Sequence, residues 1–233
     1  MNHTPLGKRR WQLVQVEISI ACNLECVMCP WTCERECARH EGLMPESVWR
    51  AIALHLDRIA SLDFGGGGEP LLHAGLFDRM AEAKAAKCRV GFLTNGTLMD
   101  VDAVETILEI GVDWVAVSID GATAEVYESI RKGAKFETVC GNIERLAARR
   151  SEGRPRLMIN FLMMPATIHE LRRTVRRARR FGEKFGIEVT QPWFQPEEKP
   201  VCDQDPRTAL FVRYDGKMAL HQSRHRRAEF VPW

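Results

Sequence analysis

Between residues 13 and 191 six short strand-like runs alternate with stretches of helical periodicity. That alternation restricts the fold more than any other feature, because βα units repeated in series form a parallel sheet covered by helices. The strand-like runs fall at 13–20, 61–64, 89–94, 114–119, 156–163 and 187–191. Between them, residues 44–60 place Val48, Ile52, Leu56 and Ile59 on one helical face, with Pro45 suited to a helix start. An Ala-rich helix is expected over 75–87, and another is capped by Asp100 and stopped near Gly111. Helical sequence over 123–150 breaks around Gly133, and Thr167 with Glu170 forms a capping box for a last helix. A closed eight-fold barrel typically needs about 250 residues. Six units within 191 residues therefore predict an α/β fold of the open kind, a partial (β/α)6 TIM-like barrel of parallel strands.

From residue 192 the character changes. A Pro-rich stretch leads into Leu210-Phe-Val-Arg-Tyr-Asp-Gly-Lys-Met-Ala-Leu220, where Asp215-Gly216 is a strong hairpin signal. The expected organisation is a core over 1–191 and a short C-terminal β-hairpin appendage over 192–233.

Composition enters mainly through cysteine. Apolar residues at 45% and charged residues at 27% are ordinary for a globular chain and exclude a disordered tail, a collagen repeat or a coiled coil. No apolar run approaches the roughly 20 residues of a membrane span, and residues 1–10 hold no apolar signal core. The expectation is a cytoplasmic protein without a membrane partner. Lys and Arg at 33 against Asp and Glu at 31 leave +2, so no nucleic-acid partner is expected. The basic run Arg172-Arg173-Thr-Val-Arg176-Arg177-Ala-Arg179-Arg180 reads as a solvated helix face, with an acidic docking partner as its alternative. The eight cysteines are too few for a disulfide scaffold, yet Cys22, Cys26, Cys29, Cys33 and Cys37 crowd one segment. Clustered thiols in a chain without export signals point to metal binding.

Cys22, Cys26 and Cys29 follow the first strand directly, the end of a parallel strand at which ligands bind. Three thiolates on one loop can hold three irons of a cubane cluster and leave the fourth open. Later strand ends carry Gly67-Gly68-Glu69-Pro70, Thr94-Asn95-Gly96 and Ser118-Ile-Asp120-Gly, the last followed by Tyr127-Glu-Ser-Ile-Arg131-Lys-Gly. With the CxxxCxxC loop, these four segments in this order resemble the radical S-adenosylmethionine superfamily. They are most similar to the branch whose members modify peptides or build cofactors and carry a C-terminal SPASM extension. The resemblance covers about residues 13–191, and it makes 1–191 the radical SAM core.

The resemblance implies one 4Fe–4S cluster on Cys22, Cys26 and Cys29, with S-adenosylmethionine on the open iron. It implies reductive cleavage to a 5′-deoxyadenosyl radical, hydrogen abstraction from a peptide or cofactor precursor, and a reducing flavodoxin or ferredoxin. Met28, Gly67, Gly68, Glu69, Asn95, Ser118, Asp120 and Arg131 are the implied S-adenosylmethionine contacts. Met28 would meet adenine through its backbone, Glu69 the methionine ammonium, and Asn95, Ser118 and Asp120 the ribose. Arg131 would pair with the methionine carboxylate. The polar strand residue Asn160 is a further candidate. No substrate-contacting catalytic residue is marked by any motif.

Two alternatives accompany this reading: an activase that installs a glycyl radical on a partner, and a non-catalytic relic that binds cluster and S-adenosylmethionine. The tail resembles the opening of a SPASM module cut short. Where a cysteine normally follows the hairpin stands His221, and the last cysteine is Cys202. Auxiliary clusters, each needing about four ligands, are therefore not expected. Cys33 and Cys37 have no assigned partner, and Cys88 and Cys140 read as buried small apolar groups.

Overall fold

The structure is a computed structural model that describes residues 10–29, 42–162, 172, 173 and 176, and the backbone of the strand segments at 163, 188–189, 193–194, 209–212, 217–220 and 231–232. Cys33, Cys37, Cys202, the Thr167–Glu170 capping box, most of the arginine helix and the Asp215-Gly216 turn lie outside the described residues. The chain divides into two compact units. The first comprises Met1–Ala21, Arg39–Phe92 and Cys202–Trp233; the second comprises Cys22–Ala38 and Leu93–Val201.

In the first unit the order begins with strand β1 (Leu13–Val16), helix α1 (Glu46–Ala53), strand β2 (Ser61–Asp63), helix α2 (Leu76–Ala85) and strand β3 (Arg89–Thr94). Strand β3 passes its last two residues to the second unit. β1, β2 and β3 run parallel, with Val14 opposite Leu62 and Leu62 opposite Val90. All three of these residues are essentially inaccessible, as the near-continuous apolar strands anticipate. Trp49 of α1 packs on Phe64 with ring centroids 5.8 Å apart, and its indole N–H donates to Glu82 of α2 at 2.7 Å. That bond satisfies a polar atom on a fully buried aromatic. Cys88 is buried as expected, its single S–H shared between the carbonyls of Leu56 and Ile59.

The helix expected over 44–60 is shorter. α1 stops at Ala53, and a 3₁₀ turn (Leu56–Arg58) replaces its second half. The Trp11 N–H donates to the Arg58 carbonyl and the Ala60 N–H to the Trp11 carbonyl. Those two bonds draw the chain beside the start of β1 and end the α-helical ladder.

In the second unit helix α3 (Val101–Ile110) follows β3, then strand β4 (Trp114–Ser118), helices α4 (Ala124–Ile130) and α5 (Phe136–Arg149), and strand β5 (Arg156–Asn160). The Asp100 carboxylate accepts from the Ala103 N–H, and the helix ends at Gly111 in the left-handed region, both as read from sequence. The helical stretch over 123–150 divides around Gly133, with Thr123 capping α4. α5 buries Phe136, Val139, Cys140, Ile143, Leu146 and Ala147, an apolar stripe at helical spacing.

β4 and β5 are parallel in the register Ser118 opposite Asn160. The strand expected over 156–163 is interrupted. The Leu162 N–H donates to the Asp120 carboxylate at 2.7 Å instead of to a strand carbonyl, and the ladder ends there. Strand β6 (Leu162–Met163) pairs with β8 (Trp193–Phe194), while β7 (Glu188–Val189) pairs parallel with β5 at the place of the expected sixth strand.

The C-terminal hairpin consists of β9 (Ala209–Val212) and β10 (Lys217–Leu220), paired antiparallel. β9 runs parallel to β1 over four register pairs, from Leu13 with Ala209 to Val16 with Val212, and β11 (Val231–Pro232) pairs with β10. The hairpin thus extends the sheet of the first unit at the edge of β1.

Candidate cluster and S-adenosylmethionine site

The cysteine loop belongs to the second unit, and backbone bonds determine its course. The Cys29 N–H donates to the Cys26 carbonyl at 3.1 Å, closing a turn over Val27 and Met28. The Glu25 N–H donates to the Lys132 carbonyl and the Val27 N–H to the Ile130 carbonyl, each at 2.9 Å. The end of α4 and the residues just after it are therefore a docking strip for the loop. Cys26 is buried, whereas Cys22 and Cys29 are half-buried and Met28 stands in the turn between. Burial pushes the Cys26 thiol up to about 11, opposed by Arg131 and reinforced by Cys22, Cys29 and Asp120. At neutral pH this thiol carries its proton, which a metal must displace on binding.

Three thiols outside any disulfide, on one braced loop, are the donor set that an iron–sulfur cubane takes. Among the described residues, no three His, Cys, Asp or Glu side chains converge on a point that one metal ion would occupy.

Asn95 follows the end of β3, is 6% exposed, and has both ends of its side-chain amide hydrogen-bonded. Its side-chain oxygen accepts from the Thr97 N–H at 2.9 Å and from the Thr97 hydroxyl at 2.7 Å. Its amide nitrogen donates to the Asn23 oxygen at 2.9 Å and reaches the Cys22 sulfur at 3.9 Å. The Asn23 amide donates in turn to the Thr97 hydroxyl at 2.8 Å. Asn142 of α5 holds the Gly96 carbonyl at 2.9 Å, and the Thr94 hydroxyl accepts from the Gly96 N–H. Asn95, read from sequence as a ribose contact, is here bonded to the cysteine loop.

Asp120 and Arg131 are bonded to each other. The Asp120 carboxylate, 1% exposed, accepts from Arg131 Nε at 2.7 Å and Nη2 at 2.6 Å through one oxygen, and from Leu162 through the other. Burial, the largest single influence, works against the Arg131 charge, but Asp120, Cys26 and Tyr127 together raise its pKa. Ser118 is buried at the end of β4, opposite Asn160 across the ladder, and the Ile119 N–H donates to the Asn160 carbonyl. Cys22, Cys26, Cys29, Met28, Asn95, Ser118, Asp120 and Arg131 all belong to this unit.

Gly67, Gly68 and Glu69 belong to the first unit, where the glycine loop runs alongside residues 17–21. The Gly67 N–H donates to the Glu17 carboxylate at 3.0 Å, the Gly68 N–H to the Ser19 carbonyl at 3.1 Å and the Glu69 N–H to the Ala21 carbonyl at 2.8 Å. A methyl group on Gly66 would stand 2.4 Å from Glu17 Cγ, and one on Gly68 would stand 2.3 Å from the Ala21 oxygen. The glycines are required by close approach of the chain to itself. With these N–H groups engaged, what the loop offers a ligand is acceptors, its carbonyls and the Glu69 carboxylate. That is the complement a methionine ammonium needs. Glu69 is 1% exposed and also accepts from the Leu71 N–H at 3.2 Å.

Sequence reading did not single out Glu17, Asn23, Thr97 or Asn142. Glu17, Asn23 and Asn142 act through partners distant in the chain, and Thr97 joins its local bonds to Asn95 with a distant one from Asn23.

The Radical SAM superfamily model matches residues 16–178. The chain is 32% identical over 178 residues to the AdoMet-dependent heme synthase of Methanosarcina barkeri, covering 73% of this chain and 48% of the synthase. It is 27% identical over 177 residues to the mycofactocin maturase MftC of Mycobacterium tuberculosis, covering 76% and 44%. The chain thus spans about half the length of these two relatives. Among solved structures, native anSMEcpe with bound AdoMet superposes with a TM-score of 0.64 at 18% identity, covering 90% of this chain and 74% of that one. Streptococcus suis SuiB bound to its precursor peptide SuiA superposes with a TM-score of 0.60 at 13% identity, covering 90% and 59%. These likenesses carry the fold, the α/β partial barrel expected from the six βα repeats. With the family match over most of its length and the three-cysteine loop in place, the chain belongs to the Radical SAM superfamily, whose members are enzymes that use a 4Fe–4S cluster and S-adenosylmethionine.

Proposed function

We propose that this chain is a maturase-type radical S-adenosylmethionine enzyme acting on a peptide or a cofactor precursor. The observation that carries the proposal is the cysteine loop, whose backbone is bonded to the strip at the end of α4 and whose Cys22 side is bonded to Asn95. The substrate class is supported by the relatives: a heme synthase and a mycofactocin maturase in sequence, and SuiB with its precursor peptide in structure.

When bound and reduced, the cluster supplies the electron that cleaves S-adenosylmethionine to methionine and a 5′-deoxyadenosyl radical, which takes hydrogen from the substrate. The chain's part is to hold, orient and shield these groups. Cys22, Cys26 and Cys29 would ligate three irons. Glu69 and the carbonyls of Gly67 and Gly68 would accept from the methionine ammonium, the Met28 backbone would meet adenine, and Ser118 a ribose hydroxyl. The Asp120–Arg131 pair would brace the strip on which the cysteine loop docks, leaving Arg131 a secondary donor toward the methionine carboxylate.

The test is anaerobic reconstitution with iron and sulfide, followed by dithionite and S-adenosylmethionine. Wild type should form 5′-deoxyadenosine, and Cys26→Ala should lose both cluster and product. Tight S-adenosylmethionine binding without product would instead indicate a non-catalytic relic. A cluster indifferent to Cys26→Ala would overturn the assignment.

A further inference from the structure

The interactions of Asn95 carry a further assignment, which rests on the cluster reading proposed above. The Asn95 amide has only one possible orientation. A backbone N–H can only donate, so the Thr97 N–H at 2.9 Å requires the side-chain oxygen on that side, and the nitrogen faces Asn23 and Cys22. From there the bonds close into a ring: Asn95 donates to Asn23, Asn23 to the Thr97 hydroxyl, and that hydroxyl back to Asn95. The turn carrying Asn95 is itself held by Asn142 on the Gly96 carbonyl and by the Thr94 hydroxyl on the Gly96 N–H. Asn95 is thus a buried, rotationally locked donor, aimed at the first cysteine of the loop.

We infer that Asn95 is a positioning residue of the cysteine loop, its amide donating to the Cys22 sulfur and so raising the reduction potential of the cluster that the loop would hold. A hydrogen bond to a ligand sulfur withdraws electron density and favours the reduced cluster, and partners of this kind set both ligand orientation and potential. The ring supplies the orientation, since Asn23 is the residue immediately after Cys22 and is held by the same amide.

The test compares wild type, Asn95→Asp, Asn95→Ser and Thr97→Val as reconstituted full chains. Potentiometric titration followed by electron paramagnetic resonance, without S-adenosylmethionine, gives the midpoint. Iron per chain and the S-adenosylmethionine dissociation constant are measured beside it. Asn95→Asp keeps the acceptor toward Thr97 and replaces the donor toward Cys22 by a carboxylate oxygen. It should hold wild-type iron and show a more negative midpoint, and Asn95→Ser should shift the same way by less. Both should bind S-adenosylmethionine within about twofold of wild type. Unshifted midpoints in iron-loaded variants overturn the assignment. So does a large loss of S-adenosylmethionine affinity at an unchanged midpoint, which would make Asn95 a ligand contact instead. If the Asn95 variants lose iron, Thr97→Val decides: it unlocks the amide without removing it, and an unshifted midpoint there is equally fatal. A wild-type chain that takes up no iron would sink the cluster reading itself, whereas a loaded wild type with unshifted variants sinks only the role of Asn95.

Discussion

At the scale of single residues, the site depends on groups whose chemistry is decided by where their neighbours stand. Cys26 is one: burial keeps its thiol protonated at neutral pH, although its spacing marks it as a ligand. Gly96 is another. Its φ is +79°, and a methyl group there would stand 2.8 Å from Val117 Cγ1 and 3.0 Å from Val139 Cγ1. Gly96→Ala therefore meets backbone strain and overpacking together. We expect a loss of roughly 2–4 kcal/mol in denaturant unfolding, and a midpoint within error of wild type would contradict the packing described. Thr94-Asn95-Gly96 was recognisable as a strand-end motif, but the direction of the Asn95 amide was not. Asn95 and Asn23 are 72 positions apart, and their meeting depends on how the second unit packs.

At the scale of elements, the bond from Asp120 to Arg131 joins the end of β4 to the end of α4. Both residues lay in recognised segments and were assigned to a ligand; the structure pairs them with each other. Arg131→Met should leave Asp120 buried without its cation and cost about 3–5 kcal/mol. The double variant with Asp120→Asn should recover a substantial part of that, because no buried charge then remains. Thermodynamic additivity of the two single changes would show that the pair is not coupled. The Asp100 cap on α3 was legible, since it acts on an N–H three residues away; Thr123 caps α4 in the same way. The interruption between β5 and β6 was not legible, because the acceptor of the Leu162 N–H lies 42 residues earlier.

At the scale of the whole molecule, the C-terminal hairpin extends the sheet of the first unit at the edge of β1. β9 covers β1 along its length, so removal of residues 202–233 would bare a row of strand N–H and carbonyl groups. We expect that truncation to lower the melting temperature by roughly 5–15 °C and to produce concentration-dependent association on size-exclusion chromatography. An equally stable, monodisperse truncated chain would show the β1–β9 ladder to be dispensable. Asp215-Gly216 marks the hairpin locally; the choice of β1 as its neighbouring strand joins residues some 200 positions apart and has no local signal.

The sequence by itself determined what depends on short separations. The six-fold alternation, the helix caps and the CxxxCxxC loop are set by local propensity, capping chemistry and ligand spacing, all within a few residues. Tertiary structure alone decided which polar groups meet: Asn95 with Cys22 and Asn23, Asp120 with Arg131, Glu17 with the glycine loop. Each of those bonds satisfies a buried polar or charged group that would be costly to leave alone. Its partner is chosen by the packing of strands and helices distant in sequence, which no local pattern encodes.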